Sequence, residues 1–241
     1  MSRSGEQAEI HQHSGWLIPL VLALVILALC GAFLLYDLRP GTGLFRNNGP
    51  TADASAVRVS VRGVKFEVPG NYLDSRTTRR GGDLDVMGLS TLLPDMRGYS
   101  AADAALFLSN AADSPVIHLV LRGDTNTLSG ADRLARIYMP YIADPGGTPD
   151  QFGLTRYTFR TGTGYERNDL YVGSSGAAQL LLLCERPAQD LPSPNCLAID
   201  RPVASGVNLS YRFKRAQLSR WRDIAGGVDG LLAKFMTHQT R

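Results

Sequence analysis

Few residues of this chain have the types and the spacing that chemistry requires, and the first pair is Cys184 and Cys196. Eleven residues separate them, and these include a proline-rich loop. Zinc sites need four ligands, typically with C-x-x-C or H-x₃₋₅-H spacing, and neither spacing occurs in the sequence. The absence of C-x-x-C also excludes the usual redox motif. The segments "AAQLLLLCER" and "NCLAID" are typical of two strands, and opposed residues of an antiparallel pair lie close enough for a disulfide. We predict a Cys184–Cys196 disulfide and an oxidising compartment, with two free thiols in a hairpin as the alternative.

Histidines and carboxylates provide few candidates for catalysis. His118 lies on a predicted strand, where a surface or edge histidine is the simpler interpretation and a catalytic base is the alternative. His238 is near the end of the chain, where a cation suits a helix dipole. Asp83 and Asp85 would share a strand face, but no second carboxylate pair accompanies them. We therefore predict no catalytic residue, no cofactor and no metal site.

A basic segment, "YRFKRAQLSRWR" at 211–222, interleaves positive charges with aromatic residues. The net charge of the chain is +3, which is too small to indicate a nucleic-acid partner. Anionic lipid headgroups or an acidic protein surface are the candidate partners. The alternative is a solvated face, because strand alternation sends Tyr211 and Phe213 to the core and sends Arg212 and Lys214 to solvent. The candidate contacts for an anionic partner are Arg212, Lys214, Arg220 and Arg222.

The stretch from Gly15 to Tyr36 contains 22 residues without a charge. As a helix it reaches roughly 33 Å, and a bilayer's hydrocarbon core is about 30 Å thick. Trp16 and Tyr36 are placed to lie at the two membrane interfaces. A cleavable signal peptide would have a shorter apolar region and a small-residue cleavage site, and "LLYDLRPG" follows here instead. We predict a retained signal-anchor, a transmembrane helix over residues 15–37 in contact with the lipid bilayer.

Topology then depends on the cysteines, because the positive charges on the two sides of this segment are nearly balanced. Of 25 basic residues, 22 are Arg, which favours a GC-rich bacterial genome. We predict a single-pass protein of the bacterial inner membrane. The predicted parts are a cytoplasmic tail (1–14), the transmembrane helix (15–37), a flexible linker (38–56) and a periplasmic domain (57–241).

Alternation and helical spacing predict an α+β fold for this domain. "VRVSVRGVKFEVP" predicts a hairpin that turns at Arg62-Gly63, and "AAQLLLL" predicts a central strand covered on both faces. Ser100 and Ser129 are predicted N-caps of short helices. An amphipathic helix is predicted at the C-terminal end. In all, we expect seven to nine mostly antiparallel strands with two or three helices covering them.

Three functional hypotheses follow from these features. The first is a non-catalytic accessory or scaffold subunit of an envelope complex, with a membrane or envelope protein as its partner. The second is an envelope hydrolase without a recognisable motif, using His118 or clustered carboxylates. The third is a ligand-sensing domain, which is weakened because a tail of residues 1–14 carries no output module.

Overall fold

The protein is described here by a computed structural model that covers residues 16–37, 49–124, 128–175 and 178–237. The chain divides into two compact units, Met1–Asn47 and Asn48–Arg241. In the first unit, α1 (Leu17–Asp37) is a single helix. Among the described residues no helix qualifies, by its length and apolar character, as a membrane span, so the span predicted over residues 15–37 is not shown.

The second unit begins with a small sheet of three strands, β1 (Ala56–Val61), β2 (Val64–Pro69) and β3 (Gly82–Leu84), in the order β2-β1-β3. The predicted β1–β2 hairpin is confirmed. Its turn residues Arg62 and Gly63 have positive φ values of 52° and 81°, as the tightest hairpin turns require. β3 runs parallel to β1.

The larger sheet has the order β4-β5-β11-β10-β9-β8-β7-β6, and every neighbouring pair is antiparallel. The predicted α+β class with a large antiparallel sheet is thereby confirmed. The described residues form eleven strands, more than the seven to nine expected, because short segments such as β3 and β6 add pairs. The strands are β4 (Val86–Leu92), β5 (Val116–Gly123), β6 (Thr148–Pro149), β7 (Thr155–Thr158), β8 (Asn168–Ser175), β9 (Ala178–Glu185), β10 (Asn195–Ala204) and β11 (Val207–Lys214).

Two short helical segments begin at the predicted caps. The Ser100 hydroxyl accepts from the Asp103 backbone N–H at 3.3 Å, and the Ser129 hydroxyl accepts from the Asp132 N–H at 3.1 Å. The α-helical part of each segment is shorter than predicted, because 3₁₀ or π turns form the rest of it. The first has a 3₁₀ turn before α2 (Ala104–Leu108). In the second, α3 (Gly130–Arg133) is followed by a π turn and a 3₁₀ turn.

The predicted C-terminal helix is confirmed as α4 (Trp221–Phe235), preceded by a 3₁₀ segment (Arg215–Arg220). It contacts β2 of the small sheet and β8 of the large one. Gly173 of β8 permits this approach, because a Cβ there would lie 2.9 Å from the Trp221 ring. The apolar face of α4 is buried and consists of Trp221, Ile224, Ala225, Val228, Leu231, Leu232 and Phe235.

β9 is covered on both faces, as predicted. Leu180 and Leu182 belong to the larger core, which β4, β5, β11 and α4 complete. Leu181 belongs to a smaller core on the other face, together with Tyr138 and Phe159. Each fully buried leucine stabilises the fold by roughly 1.5–3 kcal/mol relative to an exposed one. Both faces of the large sheet are therefore covered at its central strand β9.

Candidate functional site

Cys184 and Cys196 are disulfide-bonded, which confirms the prediction made from their spacing. They lie opposite each other in the β9–β10 ladder, and both are fully buried in the larger core. Only three residue pairs join these two strands, so the covalent bond holds the pair together where the ladder begins. The bond is a structural element, and such bonds persist in oxidising compartments.

A polar chain of three side chains lies at the other side of the sheet, where β4 pairs with β5. Ser90 and His118 are directly opposed in this ladder. The Ser90 hydroxyl donates to Asp74 Oδ1 at 2.5 Å, and its oxygen lies 2.8 Å from His118 Nδ1. Because the serine proton is committed to the carboxylate, the Nδ1–H of His118 donates to the serine oxygen. The Nε2 atom of the neutral imidazole is then the free acceptor.

Burial shifts the pKa values of Asp74 and His118 more than the neighbouring charges do. Desolvation raises the pKa of Asp74, against the lowering effect of its bond to Ser90. Desolvation lowers the pKa of His118. The charge of Asp74 opposes that shift, and the charges of Arg212 and Lys214 add to it. Near neutral pH the imidazole is accordingly uncharged.

The order of these groups differs from that of a hydrolytic triad. In such a triad the imidazole lies between the serine and the carboxylate, so that it takes the serine proton. Here Ser90 lies between Asp74 and His118, and its proton is held by the carboxylate. The geometry orients the imidazole and leaves the serine unactivated.

His118 separates two pockets of similar size. One has a volume of about 230 Å³ and is lined by Tyr72, Tyr99 and Phe107 together with Asp74 and His118. The other has a volume of about 260 Å³ and a polar lining. It lies between the end of β11, the segment that joins α2 to β5, and the start of β10. We call it the cationic pocket, and its lining includes Asn110, His118, Asn195, Arg212 and Lys214.

Register explains why these groups meet. His118 on β5 is opposed by Ser90 on β4 and by Arg212 on β11, so the three side chains form one row across the sheet. Lys214 is opposed by Asn195 at the start of β10. Because Lys214 is two residues after Arg212 on β11, both side chains lie on the same face of the strand, and both line the pocket.

Lys214 is buried, with 7% of its surface exposed, which corrects the prediction that both Arg212 and Lys214 face solvent. Arg212 is exposed as expected. Lys214 is the last residue of β11, and Asn110 and Ser193 from two loops lie over its ammonium group. Its Nζ donates to Asn110 Oδ1 at 2.6 Å and to the Ser193 carbonyl at 3.4 Å. Strand alternation alone does not reveal such a cover.

The predicted basic cluster is divided in the structure. Arg212 and Lys214 line the cationic pocket, whereas Arg220 and Arg222 do not. The Arg222 guanidinium lies over the Trp221 ring at 4.3 Å and donates to the Phe152 carbonyl at 3.0 Å. Only the first two residues therefore share a site, and a common contact surface for all four stays a prediction.

Among the other predicted positions, Asp83 and Asp85 do not line the cationic pocket. Trp16 is 78% exposed next to α1. The side chain of Tyr36 and all of His238 lie outside the described residues. Asp83 lies in β3, and Asp85 lies between β3 and β4. Within the ranges that the structure describes, no group of three or more His, Cys, Asp or Glu side chains is placed to hold a metal ion.

Sequence reasoning missed Asp74 and Ser90. They are 16 residues apart, and His118 is a further 28 residues from Ser90. No local spacing links them, and only the pairing register of β4 and β5 brings Ser90 to His118. A strand-pairing prediction for these two segments would have been the available signal.

Comparison with known proteins gives a fold but no family. No protein-family model matches the chain, and no curated protein matches it. An immunity protein of the type IV secretion system of Stenotrophomonas maltophilia has a similar structure, with a TM-score of 0.56 and 16% identity. The similarity covers 77% of this chain and 94% of that chain. The iron-regulated outer membrane lipoprotein FrpD of Neisseria meningitidis gives a TM-score of 0.46 at 16% identity, over 80% and 98% of the two chains. The first similarity shows a shared fold.

Proposed function

We propose that this chain is a membrane-anchored, non-catalytic binding protein of the bacterial envelope, which binds another protein in the manner of an immunity protein. In this proposal its domain, residues 57–241, lies in the periplasm and engages a membrane or envelope protein. The observation that carries the proposal is the shared fold with an immunity protein of a secretion system, which extends over 94% of that protein's chain. An accessory or scaffold subunit of an envelope complex is the broader form of the same proposal.

The buried disulfide supports a periplasmic domain. Cys184 and Cys196 are both 0% exposed, so the reduced pair would place two thiols against each other in the core. Disulfides form and persist in the periplasm and are rare in the cytosol of most bacteria.

Exposed apolar residues support an anchor in the inner membrane. The large apolar side chains described along α1 are between 49% and 79% exposed, and residues 15–36 contain no charge. Removing apolar surface from water yields about 25 cal/mol per Å², so a helix of this kind is stabilised by an apolar environment. In the proposed topology, residues 1–14 are cytoplasmic, 15–37 span the bilayer with Trp16 and Tyr36 at its interfaces, and 38–56 form a linker.

The polar chain at β4 and β5 favours binding over hydrolysis. Ser90 donates its proton to Asp74, so it is not prepared for nucleophilic attack by His118. If a hydrolase screen of the purified chain found an activity that His118→Ala abolished, the hydrolase alternative would replace this proposal.

Topology is tested with single cysteines in a chain that carries Cys30→Ser. Arg58→Cys places a thiol on an exposed side chain of β1, and Gln7→Cys places one in the N-terminal tail. In spheroplasts, a membrane-impermeant maleimide is expected to label the first variant at once and the second only after lysis. The reverse pattern would contradict the proposed orientation.

Binding is tested by purifying the tagged 241-residue chain from its native host in mild detergent. A stoichiometric envelope protein that co-purifies, and that is displaced by added untagged chain, is the expected result. A folded chain that is recovered alone under several detergents would argue against the binding function.

A further inference from the structure

We propose that the cationic pocket binds a carboxylate, supplied by an Asp or Glu side chain that projects from the protein partner. This inference rests on the proposed function and identifies the chemistry of its contact. The carboxylate would lie between Lys214 and Arg212, against the imidazole of His118.

The first argument is a buried positive charge that forms no ion pair within the described part of the chain. Lys214 is 93% buried, and its ammonium makes one short bond, to Asn110, and one long one, to Ser193. An ammonium group carries three donors, so donor capacity remains. No carboxylate in the described part of the chain lies within ion-pair distance of Lys214. Glu185 is near enough for its charge to raise the Lys214 pKa, but its carboxylate accepts hydrogen bonds from Asn195 instead. Buried charges are ordinarily paired, so an external anion is the missing component.

The second argument is that other cation donors converge on the same space. Arg212 is exposed at the pocket and forms no ion pair within residues 49–124, 128–175 and 178–237. A guanidinium binds a carboxylate through two parallel bonds, and a neighbouring ammonium adds a third. The pocket volume of about 260 Å³ exceeds what one carboxylate needs and admits the side chain that carries it.

His118 forms the wall of the pocket and couples binding to a proton. Asp74 acts on it through Ser90 from β4, and Arg212 and Lys214 act on it from β11. Its Nδ1 is engaged by Ser90, and no hydrogen bond to its Nε2 is formed within the described residues. A carboxylate in the pocket would offset the charges of Arg212 and Lys214, and it would therefore favour a proton on Nε2.

The surface around the pocket favours a protein side chain over an anionic lipid headgroup as the group that enters it. Leu108 of α2 is 76% exposed and directly precedes Ser109, which lines the pocket, so an apolar side chain lies close to it in sequence. Exposed Asp113 lies on the segment from α2 to β5, three residues after Asn110. An anionic bilayer would be repelled by such a carboxylate, whereas a protein surface matches both signs of charge. A recess that admits one side chain also suits a protruding partner residue better than a flat headgroup layer.

The first test uses a matched pair of peptides with the 241-residue chain in detergent. Acetyl-Gly-Glu-Gly-amide carries one carboxylate, and acetyl-Gly-Gln-Gly-amide is its neutral counterpart. NMR signals of the His118 ring report binding. We expect a saturable shift with the Glu peptide, an upward shift of the His118 pKa, and binding of the Gln peptide at least about tenfold weaker. Equal binding of the two peptides, or no shift with either, would overturn the proposal.

Two variants and two competing anions complete this test. Arg212→Gln changes an exposed side chain and leaves Lys214 in place, and it is expected to weaken the Glu peptide about tenfold. Lys214→Met is expected to weaken it at least as much. Inorganic phosphate and phosphatidylglycerol vesicles are the competitors. Vesicles that bind in an Arg212-dependent way, or phosphate that binds more tightly than the Glu peptide, would replace the protein carboxylate with an anion of another class.

A crosslinking experiment separates failure of this inference from failure of the proposed function. A photoreactive amino acid is placed at Leu108, beside the pocket, or at Glu67 on β2 as the control, in cells of the native host. We expect a crosslinked protein at position 108, with less product when Arg212→Glu is also present. A crosslink at position 67 alone would retain the binding function and reject this pocket. A chain without crosslinks at either position would count against both.

Discussion

Asp169 on β8 and Lys214 on β11 are both buried charges of the same sheet, yet they differ in what surrounds them. Asp169 is 5% exposed and accepts from Arg186 Nε and from an Arg215 guanidinium nitrogen, each at 2.8 Å. Arg215 also donates to the Glu185 carbonyl and the Tyr171 hydroxyl. Lys214, the residue just before Arg215, has only neutral hydrogen-bond partners among the described residues. The first network is completed by the chain, and the second requires an external group.

This difference separates stability from binding. A buried ion pair that is satisfied on all sides costs several kcal/mol to break, because one charge is then left uncompensated. A buried charge that lacks a counterion already carries that cost in the folded state. Removing the charge of Asp169 should therefore destabilise the fold, whereas removing that of Lys214 should leave the stability nearly unchanged or raise it.

The largest effect is expected at Asp169. Asp169→Asn keeps the size of the side chain but leaves Arg215, whose side chain is 17% exposed, without its carboxylate. We expect the free energy of unfolding to fall by about 3 kcal/mol or more, measured by urea denaturation. The control is Asp190→Asn, which removes an exposed ion pair with Arg167 and should change it by less than about 1 kcal/mol. Equal effects at the two positions would contradict the assignment of the Asp169 network to stability.

The disulfide is expected to rank next. Replacing both Cys184 and Cys196 with Ala opens an eleven-residue loop, and loop-closure entropy predicts a loss of about 2–3 kcal/mol. Urea denaturation of the oxidised chain and of the double variant measures this loss. Cys30→Ala, a substitution of the free cysteine on α1, is the control and should leave the transition of the domain unchanged. If reduction of the unsubstituted chain does not lower the denaturation midpoint, the bond does not contribute as expected.

Lys214→Met should not destabilise the domain, in contrast with Asp169→Asn. We expect the free energy of unfolding at pH 7 to stay within about 1 kcal/mol of the parent, or to rise, because a buried charge without a counterion is removed. Burial lowers the pKa of the Lys214 ammonium from 10.5. The unfolded chain then binds more protons in the window between that lowered pKa and 10.5, so this group contributes stability that rises with pH there.

The Lys214→Met chain should lack that contribution. The measurement is the difference between the two urea denaturation curves at pH 7 and in the alkaline window. A loss as large as that for Asp169→Asn would show that Lys214 is already paired, and it would remove the argument for a missing carboxylate.

The smallest effect is expected at His118 and is visible only as a pH dependence. Its pKa is lowered from 6.5, so the unfolded chain binds more protons below about pH 6.5. Stability from this group is therefore present above that pH and is lost as pH falls through the folded pKa. Asp74 acts with the opposite sign. Its pKa is raised from 3.8, so its contribution to stability is lost as pH rises through the raised value.

His118→Asn keeps a donor for Ser90 and removes the titration of the imidazole. Thermal midpoints recorded between pH 7 and pH 5 should fall less in this variant than in the parent chain. An identical fall in both would mean that burial does not perturb His118, and it would weaken its coupling to the cationic pocket.

Features that depend on neighbouring residues were predicted correctly. The β1–β2 hairpin turns at Arg62-Gly63, and the helical segments begin at Ser100 and Ser129 because their hydroxyls cap the following backbone. The buried face of α4 repeats at helical spacing. The disulfide followed from two strands joined by a short loop, so one local pairing decided it.

Features that depend on distant residues were not predicted. Lys214 and Asn110 are 104 positions apart, and their contact determines that Lys214 is buried. The insertion of β11 between β5 and β10 brings Arg212 beside His118, and no periodic pattern encodes that order. The pairing of β4 with β5 likewise brings Ser90, and through it Asp74, to His118.

Turns, caps, alternation and the cysteine hairpin were determined by the sequence itself, because each depends on the conformational preferences of a few consecutive residues. The tertiary structure alone decided which of the charges are buried, which are paired within the chain and which face a pocket. Burial and pairing depend on strand order and on loops that are far apart along the chain. Two adjacent basic residues therefore differ in role: Arg215 is a stabilising partner of Asp169, and Lys214 is a candidate binding group.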